Sequence, residues 1–423
     1  MIGWGITIAI FLAIQYWVAK TSFFIEKKLP RCTANLLFAA KFAGGIALYL
    51  LYTFYYSNRE TADIYKFYDD GMALKQIIND HPKEGYWLLT GQHENETMAI
   101  ASKMCNWNRL FTVTMLNENR LLIRTNCLLA YITGGVFHLH NLFFCLLSFL
   151  GSWWLIKSFA TYLSSKKLLF FVVILFFPSM MLWTTGLLKE SLLLFCVGYI
   201  IWFLQIDKQS WFSILVFLFL LLVLAYTRTI LAVLFVLAAL GFIVSLRLKS
   251  NSAKGVAFFG VYTIVILIAL LLPKIDPVYD YFRVTAKKQA YAQREAVYMG
   301  AKSLIELPTI TNEPSSLITN VPRGFFSAFI QPTPLQASGN AFVLLSGIEN
   351  MFLLLIFIYL LFGISPPRGV RADVFWLLIT TSVVYLSFIG LLVPVLGNLV
   401  RYKALVMPLF LGAFLLIQKE KTA

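Results

Sequence analysis

The stretch Asp63-Ile64-Tyr65-Lys66-Phe67-Tyr68-Asp69-Asp70-Gly71 gathers three carboxylates and interleaved tyrosines into one short run. In a helix, Asp63, Phe67 and Asp70 share a face by the i, i+4, i+7 rule. One carboxylate there suits a general base for an acceptor hydroxyl. Another suits a divalent cation, because hard cations prefer carboxylate oxygens, although the pattern does not require a metal. The competing expectation is a solvated acidic turn closed by Gly71.

A second candidate runs from Phe177 to Glu190 and joins two apolar segments. Pro178 should break the first segment early, and Gly186 permits a tight turn. Lys189 and Glu190 then open the next helix, where both need partners or water and Glu190 gains from the helix dipole. A purely structural cap is the alternative. Trp183 in this turn serves either as an interface anchor or as a stacking platform for a sugar ring or lipid head group.

Cations form the third set. Arg228 lies in the short turn Thr227-Arg228, and Arg401 and Lys403 follow Gly397-Asn398 near the last apolar segment. A planar guanidinium fits phosphate oxygens bidentately. Snorkelling to lipid phosphates is the plainer role of basic residues at span ends. Glu349, inside the ninth apolar segment, needs a cationic partner, for which Arg228 and Arg401 are the natural choices. His81, His93, His138 and His140 show no metal spacing with nearby acids apart from the weak pair His138-Leu139-His140, and there is no Gly-rich phosphate loop, GxSxG or HExxH.

What must position these residues is a set of membrane helices. The chain has 423 residues, 59% of them hydrophobic and only 13% charged. Apolar runs near 20 residues recur, the length that crosses about 30 Å of hydrocarbon. The expected spans are 2–19, 34–56, 141–163, 168–184, 187–205, 210–226, 229–246, 254–272, 341–362, 373–396 and 402–418. The fold class is thus all-α, a polytopic bundle of about eleven spans forming one integral-membrane domain over 1–423. The N-terminal run from Ile2 to Val18 has no basic region before it and no clear cleavage site, so it reads as a span.

The net charge of +15 would suit a nucleic-acid binder, but its position argues otherwise. Lys20 to Arg31, Lys166-Lys167, Asp207-Lys208, Arg247 to Lys254, Arg368 to Arg371 and Lys419-Glu420-Lys421 all fall on one face. Positive-inside makes that face cytoplasmic, with the N-terminus outside and the C-terminus inside. Two large extracytoplasmic loops remain, 57–140 and 273–340. In the first, Leu121–Phe137 is expected to lie in the interface, because a crossing there would turn the downstream basic loops outward. Arg120, Arg124 and Asn126 give that helix its wet edge. The second opens with an amphipathic helix, about Phe282–Glu306, and continues through prolines 308, 314, 322, 332 and 334, which favour a structured loop over regular helix. The five cysteines show no CxxC spacing. Cys105 and Cys127 could meet outside the membrane, although buried free thiols are the simpler expectation.

Lys189, Glu190, Arg228, Glu349 and Arg401 therefore cluster at the outer membrane edge, and charge placed there is a functional-site signal. This layout resembles the GT-C superfamily of membrane glycosyltransferases. Asp63 with Asp69-Asp70 takes the place of their acidic motif, Leu121–Phe137 that of their interfacial helix, and Trp183 to Glu190 that of their second loop. The resemblance implies a polyprenyl-phosphate sugar as donor, a glycan or lipid acceptor, Asp63 as base, and a lipid phosphate held by Arg228 and Arg401. An extra span before the acidic loop departs from that layout. The Asn398-Leu399-Val400-Arg401-Tyr402-Lys403 stretch also resembles O-antigen-polymerase-like proteins, which join polyprenyl-diphosphate-linked repeat units. A lipid-linked-glycan flippase or transporter is the alternative from another class. Against it stand the absence of repeated halves and charge at one face rather than the midplane.

Overall fold

The structure, a computed structural model, describes residues 2–56, 59, 62–108, 117–206, 209–337, 340–367 and 369–419. Ser57, Asp207, Lys208, Arg368, Glu420 and Lys421, which enter the loop and charge expectations, lie outside the described residues. Among the described residues the chain is helical and contains no strand. The helices are α1 (Ile2–Lys20), α2 (Thr33–Leu50, continued by a π turn to Tyr55), α3 (Asp63–Asp80), α4 (Pro82–Thr90), α5 (Glu94–Ala101), α6 (Glu118–Thr133) and α7 (Phe137–Ala160). They continue with α8 (Ser165–Leu175), α9 (Pro178–Trp183), α10 (Lys189–Phe203), α11 (Trp211–Thr227), α12 (Thr229–Ser245) and α13 (Asn251–Ile275). The last are α14 (Tyr281–Tyr298), α15 (Pro314–Ile330), α16 (Ala341–Leu361), α17 (Val370–Leu392), α18 (Leu396–Ala404) and α19 (Met407–Ile417).

This is a multi-pass helical membrane protein. Every one of the eleven apolar segments is helical, yet the number eleven does not follow from helix length. Among the described residues six helices are long and apolar enough to cross a bilayer: α1, α2 with its π turn, α7, α13, α16 and α17. A seventh is α18 with α19, if that pair, bent by 47°, counts as one span. The others are cut short by local chemistry. Pro178 divides α8 from α9, and a single residue, Arg228, separates α11 from α12, each 17 residues long. Seventeen residues rise only about 25 Å, short of a full hydrocarbon core.

The chain divides into two compact units. The first comprises the chain up to Ser158 together with Met181–Arg228. Its core under the first loop joins α3 to α6, with Phe67, Leu74, Leu122, Ile123 and Cys127 packed on Leu187 and Leu188. The two helices cross at Gly71, where an added Cβ would lie 2.6 Å from that of Asn126. Gly71 therefore does not close an acidic turn; α3 runs through it to Asp80. The amphipathic helix expected at Leu121–Phe137 is α6. It ends at Gly134 and Gly135, both at positive φ, before α7 starts at Phe137.

The second unit comprises Phe159–Met180 and Thr229–Ala423. Here α15 and α17 approach so closely that a Cβ on Gly390 would sit 1.9 Å from the Gly324 carbonyl oxygen. The expected amphipathic helix is α14, shorter than predicted. The proline-rich stretch is a correction: α15 is a regular helix across Pro314 and Pro322. Pro314 stands in the first turn, where no N–H is needed, and packing through Gly324 outweighs the cost of Pro322.

Candidate functional site

The three acidic residues of the first candidate have different fates. Asp70 is 5% exposed and accepts the backbone N–H groups of Cys105 (3.1 Å) and Asn106 (2.7 Å). Burial raises its pKa above the ordinary carboxylate value, and the Asn106 and Cys105 amides pull it back. Asp70 thus folds the 104–108 segment onto α3. Asp69 accepts both arms of Arg59, at 2.8 and 2.7 Å, in an exposed pair. Asp63, in the first turn of α3, pairs with Lys66.

The predicted turn from Pro178 to Glu190 forms as the sequence implies. α8 ends before Pro178, and Gly186 takes φ 63° against Asn141. Trp183 packs against the apolar cluster beneath α3 and α6. Lys189, 5% exposed, donates to Asn119 Oδ1 (2.8 Å) and lies 3.3 Å from Glu118 Oε1, both in the first turn of α6. Glu190, 1% exposed, faces Arg228 Nη2 at 3.6 Å. Phe67 ties these groups to the acidic motif: Lys66 Nζ is 5.2 Å and Lys189 Nζ 5.1 Å from its ring centroid. Asp63, Lys66, Glu118, Lys189, Glu190 and Arg228 therefore belong to one neighbourhood within the first unit.

Three residues that the sequence reading missed complete it. Glu118 supplies a carboxylate to Lys189, and Asn119 a second oxygen. Lys41, 1% exposed in the middle of α2, donates to Thr184 Oγ1 (2.8 Å) in the same turn as Lys189. Its signal was present in the sequence, as the one charged residue of an otherwise apolar run.

Glu349 is corrected. Its carboxylate takes neither Arg228 nor Arg401. It accepts the Ser179 backbone N–H at 3.0 and 2.9 Å and the Ser179 hydroxyl at 2.6 Å, with Lys403 as its charged neighbour. An uncapped amide at the start of α9 satisfies this half-buried carboxylate as a cation would. Lys403, 3% exposed, donates to Asn350 Oδ1 (2.6 Å) and the Gln331 carbonyl (2.5 Å), so it closes the end of α15. Arg401 stands beside it on α18 with 6% exposure. Glu349, Arg401 and Lys403 all belong to the second unit, whereas Arg228 belongs to the first.

Among the described residues no group of three or more His, Cys, Asp or Glu side chains is arranged to hold a metal ion. All five cysteines are free, so Cys105 and Cys127 do not pair. No family model matches the chain, and it matches no curated protein and no solved structure.

Proposed function

We propose that the chain is a membrane glycosyltransferase that moves a sugar from a polyprenyl-phosphate donor to a cell-envelope glycan or lipid acceptor, at the outer side of the cytoplasmic membrane. What carries this assignment is the concentration of nearly inaccessible charge where apolar helices α10 and α11 end: Glu118, Lys189 and Glu190, each at most 9% exposed, with Arg228 beside them. Charge in such a place is costly and is kept for function.

In the proposed reaction the acceptor oxygen attacks the anomeric carbon, and the carbon–oxygen bond to the donor phosphate breaks. The phosphate leaves with the electron pair, so negative charge grows on it. Lys189 and Arg228 are the cations assigned to that charge, held in place beforehand by Glu118 and Glu190. The hydroxyl proton passes to Asp63, which stands in the first turn of α3 paired with Lys66. Orientation rests on the basic residues between α1 and α2, which favour the cytoplasm.

A polymerase acting on polyprenyl-diphosphate-linked units is the second reading, favoured by the deep burial of Arg401 and Lys403 on the nine-residue helix α18. Sugar transfer from a polyprenyl-phosphate donor by the purified chain tests the first reading. Asp63→Asn should lower turnover by about 100-fold, the usual size of a general-base contribution. Unchanged turnover in that variant removes Asp63 from the mechanism.

A further inference from the structure

One concavity of the first unit lies outside the groups used above. It is a shallow open depression between α4, α5, the 107–108 segment and α6, lined among others by Trp87, Glu94, Asn95, Trp107, Asn108 and Arg120. Arg120 pairs with Glu94 and donates to Asn108 Oδ1 at 3.0 Å. Lys83 and His93 already lie over the Trp87 ring, 4.7 and 4.2 Å from its centroid. Arg120 and Arg124 lie over Trp107 at 5.0 and 5.3 Å. Among the described residues, the side-chain amides of Gln92 and Asn95, which also line it, make no hydrogen bond.

We infer that this depression is a binding site for the oligosaccharide portion of a substrate, taking neutral or N-acetylated sugar units. The walls are too polar for a lipid tail. They are also poorly suited to a phosphate, because the Glu94 carboxylate offsets the Arg120 guanidinium. Side-chain amides, a carboxylate and a guanidinium beside two tryptophans suit a ligand whose hydroxyls both donate and accept. The site adjoins the charged cluster through two consecutive residues of α6. Asn119 bonds Lys189 on one side and donates to the Asn106 carbonyl at 3.1 Å. Arg120, next in the chain, donates to the Trp107 carbonyl at 3.3 Å and lines the depression. Assigning the bound glycan as acceptor rests on the transferase reading; sugar binding itself does not.

The test is binding of the purified full chain to an array of lipid-free oligosaccharides, neutral, N-acetylated and anionic, alongside Asn95→Ala and Asn108→Ala. The wild type should retain a subset of neutral or N-acetylated glycans. Each variant should weaken that binding by about tenfold, the size of one lost hydrogen bond. Asn95→Asp, which keeps the side-chain shape at an exposed position, serves if an alanine variant does not fold. No retained glycan, retention of anionic glycans alone, or binding that none of the three substitutions moves would overturn the site. A chain that binds glycan through Asn95 but uses no polyprenyl-phosphate donor keeps the site and loses the transferase reading. A chain that transfers sugar with an acceptor KM unmoved by Asn95→Ala does the reverse.

Discussion

Lys189 Nζ lies 3.3 Å from Glu118 Oε1, and this buried pair fastens the first turn of α10 to the first turn of α6. The contact joins residues 70 positions apart through Asn119 as well. It sets the start of a deeply packed helix against the polar loop that precedes α7.

Removing one member of such a pair leaves the other charge uncompensated. Lys189→Met should therefore destabilise the first unit by about 3–5 kcal/mol, the range for breaking a buried ion pair. The double variant Lys189→Met/Glu118→Gln should recover much of that loss. Thermal unfolding of both proteins in the same detergent reads the difference. Equal losses in the single and double variants would show that the pair is not coupled.

Asp70 acts through hydrogen bonds to backbone, so Asp70→Asn should lower stability. One amide oxygen replaces two acceptor oxygens, and the Cys105 or Asn106 N–H is left unsatisfied at about 1–3 kcal/mol. The sign of the pH dependence follows from the raised pKa in the folded chain. The folded state takes up the proton before the unfolded state does. Wild-type stability from this group is therefore greatest at acid pH and falls as pH rises from the ordinary carboxylate value through the raised one. The gap between wild type and Asp70→Asn should narrow over that same window. A gap that widens with pH contradicts the assignment.

Some of this site was legible in the sequence and some was not. The helical face of Asp63, Phe67 and Asp70, the break at Pro178 and the turn at Gly186 depend on near neighbours, and the chain carries them locally. The partners were not legible. Glu349 finds Ser179, 170 residues away, and Asp70 finds the amides of Cys105 and Asn106. Helical periodicity says which face a residue occupies, not which distant backbone amide will meet it. α15 shows the same limit: the prolines argued for a loop, while the Gly324–Gly390 contact that sustains the helix joins segments far apart in the chain.

Native cysteines report the topology. Cys32, between α1 and α2, and Cys105, beyond α2, are both exposed, while Cys127, Cys145 and Cys196 are buried. Burial pushes the Cys127 thiol up to about 11, so it holds little thiolate at neutral pH. An impermeant thiol reagent applied outside intact cells should label Cys105 and spare Cys32, with Cys32 reacting once the membrane is opened. Labelling of Cys32 from outside would invert the assigned orientation.

Lys41 gives a sharper distinction between structure and function. Lys41 bonds a neutral hydroxyl and, unlike Lys189, no carboxylate, so an apolar side chain of similar length removes a costly buried charge without stranding an opposite one. Lys41→Met should accordingly keep or raise thermal stability. If the charge serves the turn that carries Lys189, sugar transfer should still fall by about tenfold or more, the scale of one charge-assisted hydrogen bond. Loss of folding with no separate effect on transfer would mark Lys41 as a structural residue only.

The central claim is that Arg228 and its neighbours hold a lipid-linked phosphate, and donor binding by the wild type, Arg228→Lys and Arg228→Ala tests it most directly. The readout is the shift in thermal unfolding on adding a polyprenyl-phosphate sugar to the purified protein in detergent. The planar fork should matter, because phosphate binding uses its two parallel donors whereas contact with bulk lipid needs only a positive charge. The account predicts a clear donor-dependent shift for the wild type, weakening by about 1–3 kcal/mol in Arg228→Lys and loss in Arg228→Ala, in proteins that remain folded without donor. A wild type that shows no donor-dependent shift, or an Arg228→Lys variant that binds the donor as tightly as the wild type, would contradict it.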